Sequence, residues 1–118
     1  NFEFEKVGNE TLLERLTAAT DPALVKLELD TYWAAYSDVD PIQLIQHYSG
    51  RVVSLHLKDM TPERTFTEVG AGTLDIAGYT EAGQAAGLTI YVVENDRPAI
   101  PSLENARRSF ENMPRSLT

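Results

Sequence analysis

The chain has 118 residues, 42% hydrophobic and 24% charged, which is the make-up of one ordinary globular domain and leaves no room for disorder as its default state. With no cysteine it has no disulfides, thiolate nucleophiles or zinc-thiolate sites, so any metal must sit on oxygen and imidazole. A formal charge of −8 sets it against nucleic-acid phosphate, and with neither an apolar run near the ~18 residues of a membrane span nor a signal-peptide pattern, the expected place is soluble and cytoplasmic, with no membrane partner.

In chain order, Asn1 to Glu5 alternates Phe2 and Phe4 with Glu3 and Glu5 and reads as a strand end with one face packed. It starts without a Met, which suggests a fragment of something longer. A helix is expected from Asn9, with Asn9 as its cap and Leu12, Leu13 and Leu16 as its apolar stripe, ending at Thr20-Asp21-Pro22. A strand follows over Val25 to Asp30, then a stretch that supplies Tyr32, Trp33 and Tyr36 near the strand's carboxyl end. Asp40 caps and Pro41 opens the next helix, whose buried side is Ile42, Leu44, Ile45 and Tyr48, and Gly50 closes it.

The strand Arg51 to Lys58 comes next, then a longer loop from Asp59 to Asp75 containing Pro62, Gly70 and Gly72. Ile76 to Ala86 reads as a helix of small residues stopped by Gly87 in a left-handed cap. The last strand runs from Thr89 to Glu94, and a final helix near Leu103 to Asn112 puts Leu103, Ala106 and Phe110 at helical spacing before Pro114. Strand and helix alternate, which calls for parallel strands joined by right-handed crossovers. No G-x-G-x-x-G follows any strand, so a dinucleotide-binding sheet is disfavoured. Polar residues recur instead at the carboxyl ends of three strands, as at the mouth of a (β/α)8 TIM barrel, and four units against the eight of that fold make a partial barrel.

The period of two places Val52, Ser54, His56 and Lys58 on one face of their strand and Val53, Leu55 and Leu57 on the other. Lys26, Glu28 and Asp30 share a face in the same way, as do Ile90, Val92, Glu94 and Asp96. Ionised groups gathered inside a barrel need pairing or coordination. One reading is a salt-bridge network in which Lys26 and Lys58 neutralise the acids. The other makes Asp30, His56 and Glu94 ligands of a divalent cation, with Mn²⁺, Mg²⁺ or Co²⁺ ahead of a structural Zn²⁺ because two of the three are carboxylates.

Other candidates carry less. His47 lies on a helix away from any strand end and reads as a surface residue; Trp33 and Tyr32 either stack on a substrate ring or roof the barrel. The glycines after Glu68 are not a phosphate cradle, since no Lys-Ser/Thr helix start follows them. Ser54 and His56 point in parallel from one strand and make a poor nucleophile and base.

Taken together, NFEFE at the start, ELDTYW at Glu28 to Trp33, GRVVSLHLKDM at Gly50 to Met60, FTEVGAGTLD at Phe66 to Asp75 and YVVEND at Tyr91 to Asp96 resemble the sugar phosphate isomerase/epimerase family of xylose-isomerase-like barrels, strands five to eight only. The resemblance implies a divalent metal ion (Mn, Mg, Co or Zn) on Asp30, His56 and Glu94. It also implies catalysis by Glu94 as base and Lys58 toward a substrate oxygen, with Trp33, Lys58 and Glu68 as substrate contacts. The implied activity is isomerisation or epimerisation of a sugar or polyol through an enediolate; the alternatives are a related polyol dehydratase and an inactive half-barrel or binding module, the isolated piece being expected to be inactive. Two departures stand out. The family's fourth ligand would precede Asn1, and Ala71 stands where the family has the second Glu of EVGEG. Open barrel edges would favour self-association, through Phe2, Phe4, Val52, Ile90 and Val92 exposed to water.

Overall fold

A computed structural model describes residues 1–114 and 117. A 3-10 turn at Phe2–Phe4 leads into the two-residue strands β1 (Lys6–Val7) and β2 (Glu10–Thr11), and then helix α1 (Leu12–Ala18). Next come β3 (Leu27–Asp30), α2 (Thr31–Tyr36), α3 (Pro41–His47), β4 (Val52–Leu57), β5 (Asp59–Met60) and β6 (Phe66–Thr67). The chain closes with α4 (Ile76–Ala85), β7 (Ile90–Val93) and α5 (Ser102–Asn112). The sheet that matters is parallel and ordered β3-β4-β7, with β4 bonded on both sides. Two small antiparallel hairpins, β1-β2 and β5-β6, complete the strands among the described residues. The alternation of strand and helix is therefore the α/β barrel arrangement, present in part, and no described helix is long and apolar enough to cross a membrane.

Leu55, Leu57 and Ile45 are fully buried and centre the core, with Leu13, Leu29, Val52, Ile76 and Tyr79 around them. Burying a Leu or Ile side chain is worth ~1.5–3 kcal/mol, so Leu55 and Leu57 fix which way β4 faces and Ile45 which way α3 does. The face rule holds less cleanly at the start of β4. Val52 is buried and Val53 is 42% exposed.

Several expected elements differ. Asn1 to Glu5 is no strand: the amides of Phe4 and Glu5 bond back to Asn1 and Phe2, so a local turn satisfies a backbone that has no strand beside it. The parallel sheet consequently has three of the four expected strands among the described residues. Asn9 does not cap α1. Thr11 does, in a reciprocal box with Glu14, because residues 10–11 are first used to close the β1-β2 hairpin. Asp40, Pro41 and the left-handed Gly87 (φ +84°) act as the sequence suggests.

The apolar spacing of α5 misleads. Leu103 is 86% and Phe110 69% exposed, whereas Asn105 and Ser109 are buried. The helix packs on the 68–70 loop, where the Val69 amide needs an acceptor and takes Ser109 Oγ at 3.1 Å.

The expected long loop is pinned by Asp59, 1% exposed. Its Oδ1 accepts from the amides of Met60 (2.8 Å) and Leu74 (3.1 Å), and its Oδ2 from those of Gly70 (2.9 Å) and Gly72 (3.0 Å). A Cβ on Gly72 would stand 2.3 Å from Asp59 Oδ1, so only glycine permits the approach. Asp59→Ala orphans these four donors at ~1–3 kcal/mol for each one that stays dry, and we expect urea unfolding to report a loss of at least ~3 kcal/mol.

Among the described residues both outer strands of the parallel sheet have an unpaired edge, and Ile90, Val92 and Val93 of β7 are 54%, 38% and 39% exposed. Phe2 is also exposed, while Val52, expected to meet water, is 3% exposed under the core. Such edges favour association, so light scattering is expected to give a mass well above 13.1 kDa; a monodisperse monomer would contradict this.

Candidate metal centre

Parallel register builds the site. Asp30 on β3 stands level with His56 on β4, and His56 level with Val92 on β7. Two residues further along a strand returns to the same face ~6.6 Å higher. Glu94 and Lys58 occupy that next level, just past their strands, where the Glu94 amide still bonds Leu57 O at 3.1 Å. Three strands thus deliver their side chains to one end of one face. Asp30 is steadied further as the cap of α2, its Oδ1 accepting the Trp33 amide at 3.1 Å.

Asp30, His56 and Glu94 each place one ligand atom within 4.8 Å of the others. His56 Nδ1 lies 3.0 Å from Glu94 Oε2 and 3.7 Å from Asp30 Oδ2. Its other nitrogen, Nε2, lies 3.0 Å from Glu28 Oε1, and Ser54 Oγ donates to Glu28 Oε2 at 2.7 Å. A metal-binding imidazole commonly donates its second N–H to a carboxylate, which sets the tautomer and turns the remaining nitrogen to the metal. Glu28 is placed for that role. Oxygen, oxygen and imidazole form a donor set suited to a divalent ion such as Mn²⁺, so the residues fit such an ion.

Lys58, 4% exposed, sits among the same acids. Its Nζ lies 2.8 Å from Glu94 Oε2, 3.0 Å from Asp30 Oδ2, and 3.0 and 3.1 Å from the two Asp96 oxygens. Burial by itself would lower the ammonium's pKa; hydrogen bonds to Glu94, Asp96 and Asp30 together outweigh it and hold the pKa above the ordinary lysine value. The salt-bridge reading and the metal-ligand reading therefore fall on the same atoms. Lys26 takes no part, since it reaches Gly50 O instead.

Beside Asp96 opens a cavity of about 490 Å³ lined by Trp33, Tyr36, Phe66, Arg64 and Arg97. Tyr32 lies beneath, stacked on Phe66 at 4.4 Å and bonded through its hydroxyl to Arg64 O at 3.1 Å. A larger cavity of about 610 Å³ between α1 and α3, lined by Leu13, Asp40 and His47 among others, contains none of the clustered groups, so volume does not locate the chemistry. His47 is exposed, as the sequence suggests. Glu68 is drawn elsewhere: it accepts from Thr67 Oγ1 at 3.0 Å and faces Arg108 at 3.9 Å.

The sequence put Glu28 and Asp96 on the right faces and among the acids of a salt-bridge network, but named neither as a metal ligand, substrate contact or catalytic group. Phe66 and Arg64 could not be placed from sequence, because only the β5-β6 hairpin folds them back over α2.

No protein-family model matches the chain. It is 44% identical over 48 residues to an inosose dehydratase of Geobacillus kaustophilus, a stretch covering 41% of this chain and 16% of that protein. It is 39% identical over 57 residues to an inosose dehydratase of Bacillus anthracis, covering 48% and 19%. Among solved structures, a sugar phosphate isomerase/epimerase from Parabacteroides distasonis superposes with TM-score 0.77 at 25% identity, over 90% of this chain and 36% of that one. A second such structure from the same organism, at 23% identity and TM-score 0.76, covers 92% and 40% and speaks to the fold. The chain spans well under half the length of each.

Asp30→Asn keeps the capping oxygen, since Asn caps helices as well as Asp does, but removes a ligand charge. We expect calorimetry to show Mn²⁺ affinity falling by more than the ~10–100-fold that an outer partner such as Glu28→Gln would cost. Equal affinity in Asp30→Asn and the parent would mean that the trio does not act together.

Proposed function

From a chain that resembles part of a sugar phosphate isomerase/epimerase barrel of the xylose-isomerase-like kind, we propose that its site belongs to a metal-dependent enzyme that removes a proton next to the carbonyl of a sugar or polyol. The observation that carries this is the meeting of Asp30, His56 and Glu94 at the carboxyl ends of three adjacent parallel strands. That end of a barrel is where catalytic residues gather.

Asp30, His56 and Glu94 would hold the divalent ion, which when bound supplies Lewis-acid polarisation of a carbonyl. Glu94 takes the proton from the carbon beside that carbonyl through Oε1, the oxygen that Lys58 and His56 leave alone. The C–H electron pair becomes the new C=C bond of an enediolate and the carbonyl oxygen takes the charge. The ammonium of Lys58, 2.8 Å from Glu94 Oε2, would add a second positive charge to the stabilisation of that oxygen. Trp33, with Tyr36 and Phe66, offers apolar ring faces to the substrate, and Asp96 and Arg97 offer polar groups at the same cavity.

Return of the proton to the same carbon from the other side gives an epimer; its delivery to the neighbouring carbon, with the enediolate's hydroxyl proton passing to the former carbonyl oxygen, gives an isomer. Expulsion of a hydroxide from the next carbon gives dehydration, the reaction in the name of the two matched inosose dehydratases, and that likeness favours it as the second reading. Both share the first step. With Mn²⁺ in D2O and a panel of ketoses and keto-cyclitols, the protein carrying this segment is expected to exchange the carbon-bound proton for deuterium, and Glu94→Gln to slow exchange ~10²–10⁴-fold. Rearranged product supports the isomerase and loss of water the dehydratase. No exchange with any member of the panel would remove the proposal and leave a binding fragment.

A further inference from the structure

Lys58 bonds the two oxygens that also face His56. Nζ reaches Asp30 Oδ2 and Glu94 Oε2 at 3.0 and 2.8 Å, the atoms that stand 3.7 and 3.0 Å from His56 Nδ1. An ammonium and a divalent cation are both positive, so when both sit against the same two oxygens their repulsion makes each weaken the other's hold. The remaining acceptor is Asp96, which presents both oxygens to Nζ at 3.0 and 3.1 Å and makes no contact with His56. Asp96 is thus the one acid of the cluster that can hold Lys58 without drawing on the Asp30, His56 and Glu94 set.

We propose that Lys58 and a divalent cation exchange at the Asp30 and Glu94 oxygens, and that Asp96 is the positioning residue that keeps Lys58 once it has given those oxygens up. This rests on the metal reading above and adds to it a built-in competitor and a place for the competitor to go. Binding of the cation then depends on Asp96, although Asp96 is no ligand.

The test is a double-mutant cycle read by Mn²⁺ calorimetry and by the electron paramagnetic resonance of bound Mn²⁺, on the parent, Lys58→Met, Asp96→Asn and the double variant. Contacting groups couple, so Lys58→Met is expected to tighten Mn²⁺ binding about tenfold and Asp96→Asn to weaken it about tenfold. In the Lys58→Met background Asp96→Asn should change affinity by no more than about twofold, because the residue it serves has gone. Lys58→Gln, which retains donors without the charge, is expected to move affinity in the same direction and stands in should Lys58→Met fail to fold. Weaker binding in the Lys58 variants would make Lys58 an organiser of the ligands and overturn the exchange. An Asp96→Asn loss of equal size in both backgrounds would make Asp96 act directly and overturn it too. A parent that binds Mn²⁺ while the variants match it removes the exchange alone; a parent that binds none removes the metal reading and the exchange together.

Discussion

The ammonium of Lys58 is the interaction on which this end of the molecule depends. It joins Asp30, Glu94 and Asp96, acids that come from β3 and from the segment after β7, through a residue at the end of β4 between them. Ligand atoms of Asp30 and Glu94 stand within 4.8 Å, where two like charges repel by on the order of 3–4 kcal/mol at the effective dielectric of a protein surface. Water access lowers that figure, and a cation lodged between the acids reverses its sign. The cluster holds together because one central strand carries its counter-charge.

Four consecutive residues of that strand and its exit divide the labour. His56 faces the acids, Leu57 is fully buried in the core, Lys58 balances the charge and Asp59 gathers the amides of Met60, Gly70, Gly72 and Leu74. The loop fixed by Asp59 carries Phe66 onto Tyr32, and Tyr32 belongs to the helix capped by Asp30. Packing on one side of the sheet and the aromatic wall beside the site are therefore tied to the same short segment. Thr31 adds a direct link, its hydroxyl donating to His56 O at 2.9 Å. The cavity wall built on these contacts ends at Arg97, which is exposed to solvent.

The solved structures that the chain resembles are longer than it by a wide margin, and the superposition covers 36–40% of them. The parallel sheet here has two outer edges, and β7 shows Ile90, Val92 and Val93 to solvent. Alternating strands and helices give a barrel its curvature, while closure is a property of the whole ring of strands. What this chain carries by itself is an arc of that ring with its chemistry at one end.

The sequence by itself determined the parallel strands, most helix starts and the face to which Glu28, Asp30, His56, Lys58, Glu94 and Asp96 belong. Those follow from local rules: a period of two, Asp40 as the cap ahead of Pro41, and a left-handed glycine at Gly87. Tertiary structure decided the rest. It turned Asn1 to Glu5 into a 3-10 turn for want of a neighbouring strand, and gave the cap of α1 to Thr11 after a hairpin had claimed the residues before it. It rotated α5 so that Ser109, not Phe110, meets the loop. It also settled that Lys58 reaches three acids while Lys26, on an equally good alternation, reaches a backbone carbonyl at the other end of its strand. Periodicity states which face a side chain leaves from; which partner it meets depends on register between strands distant in sequence, and only folding sets that register.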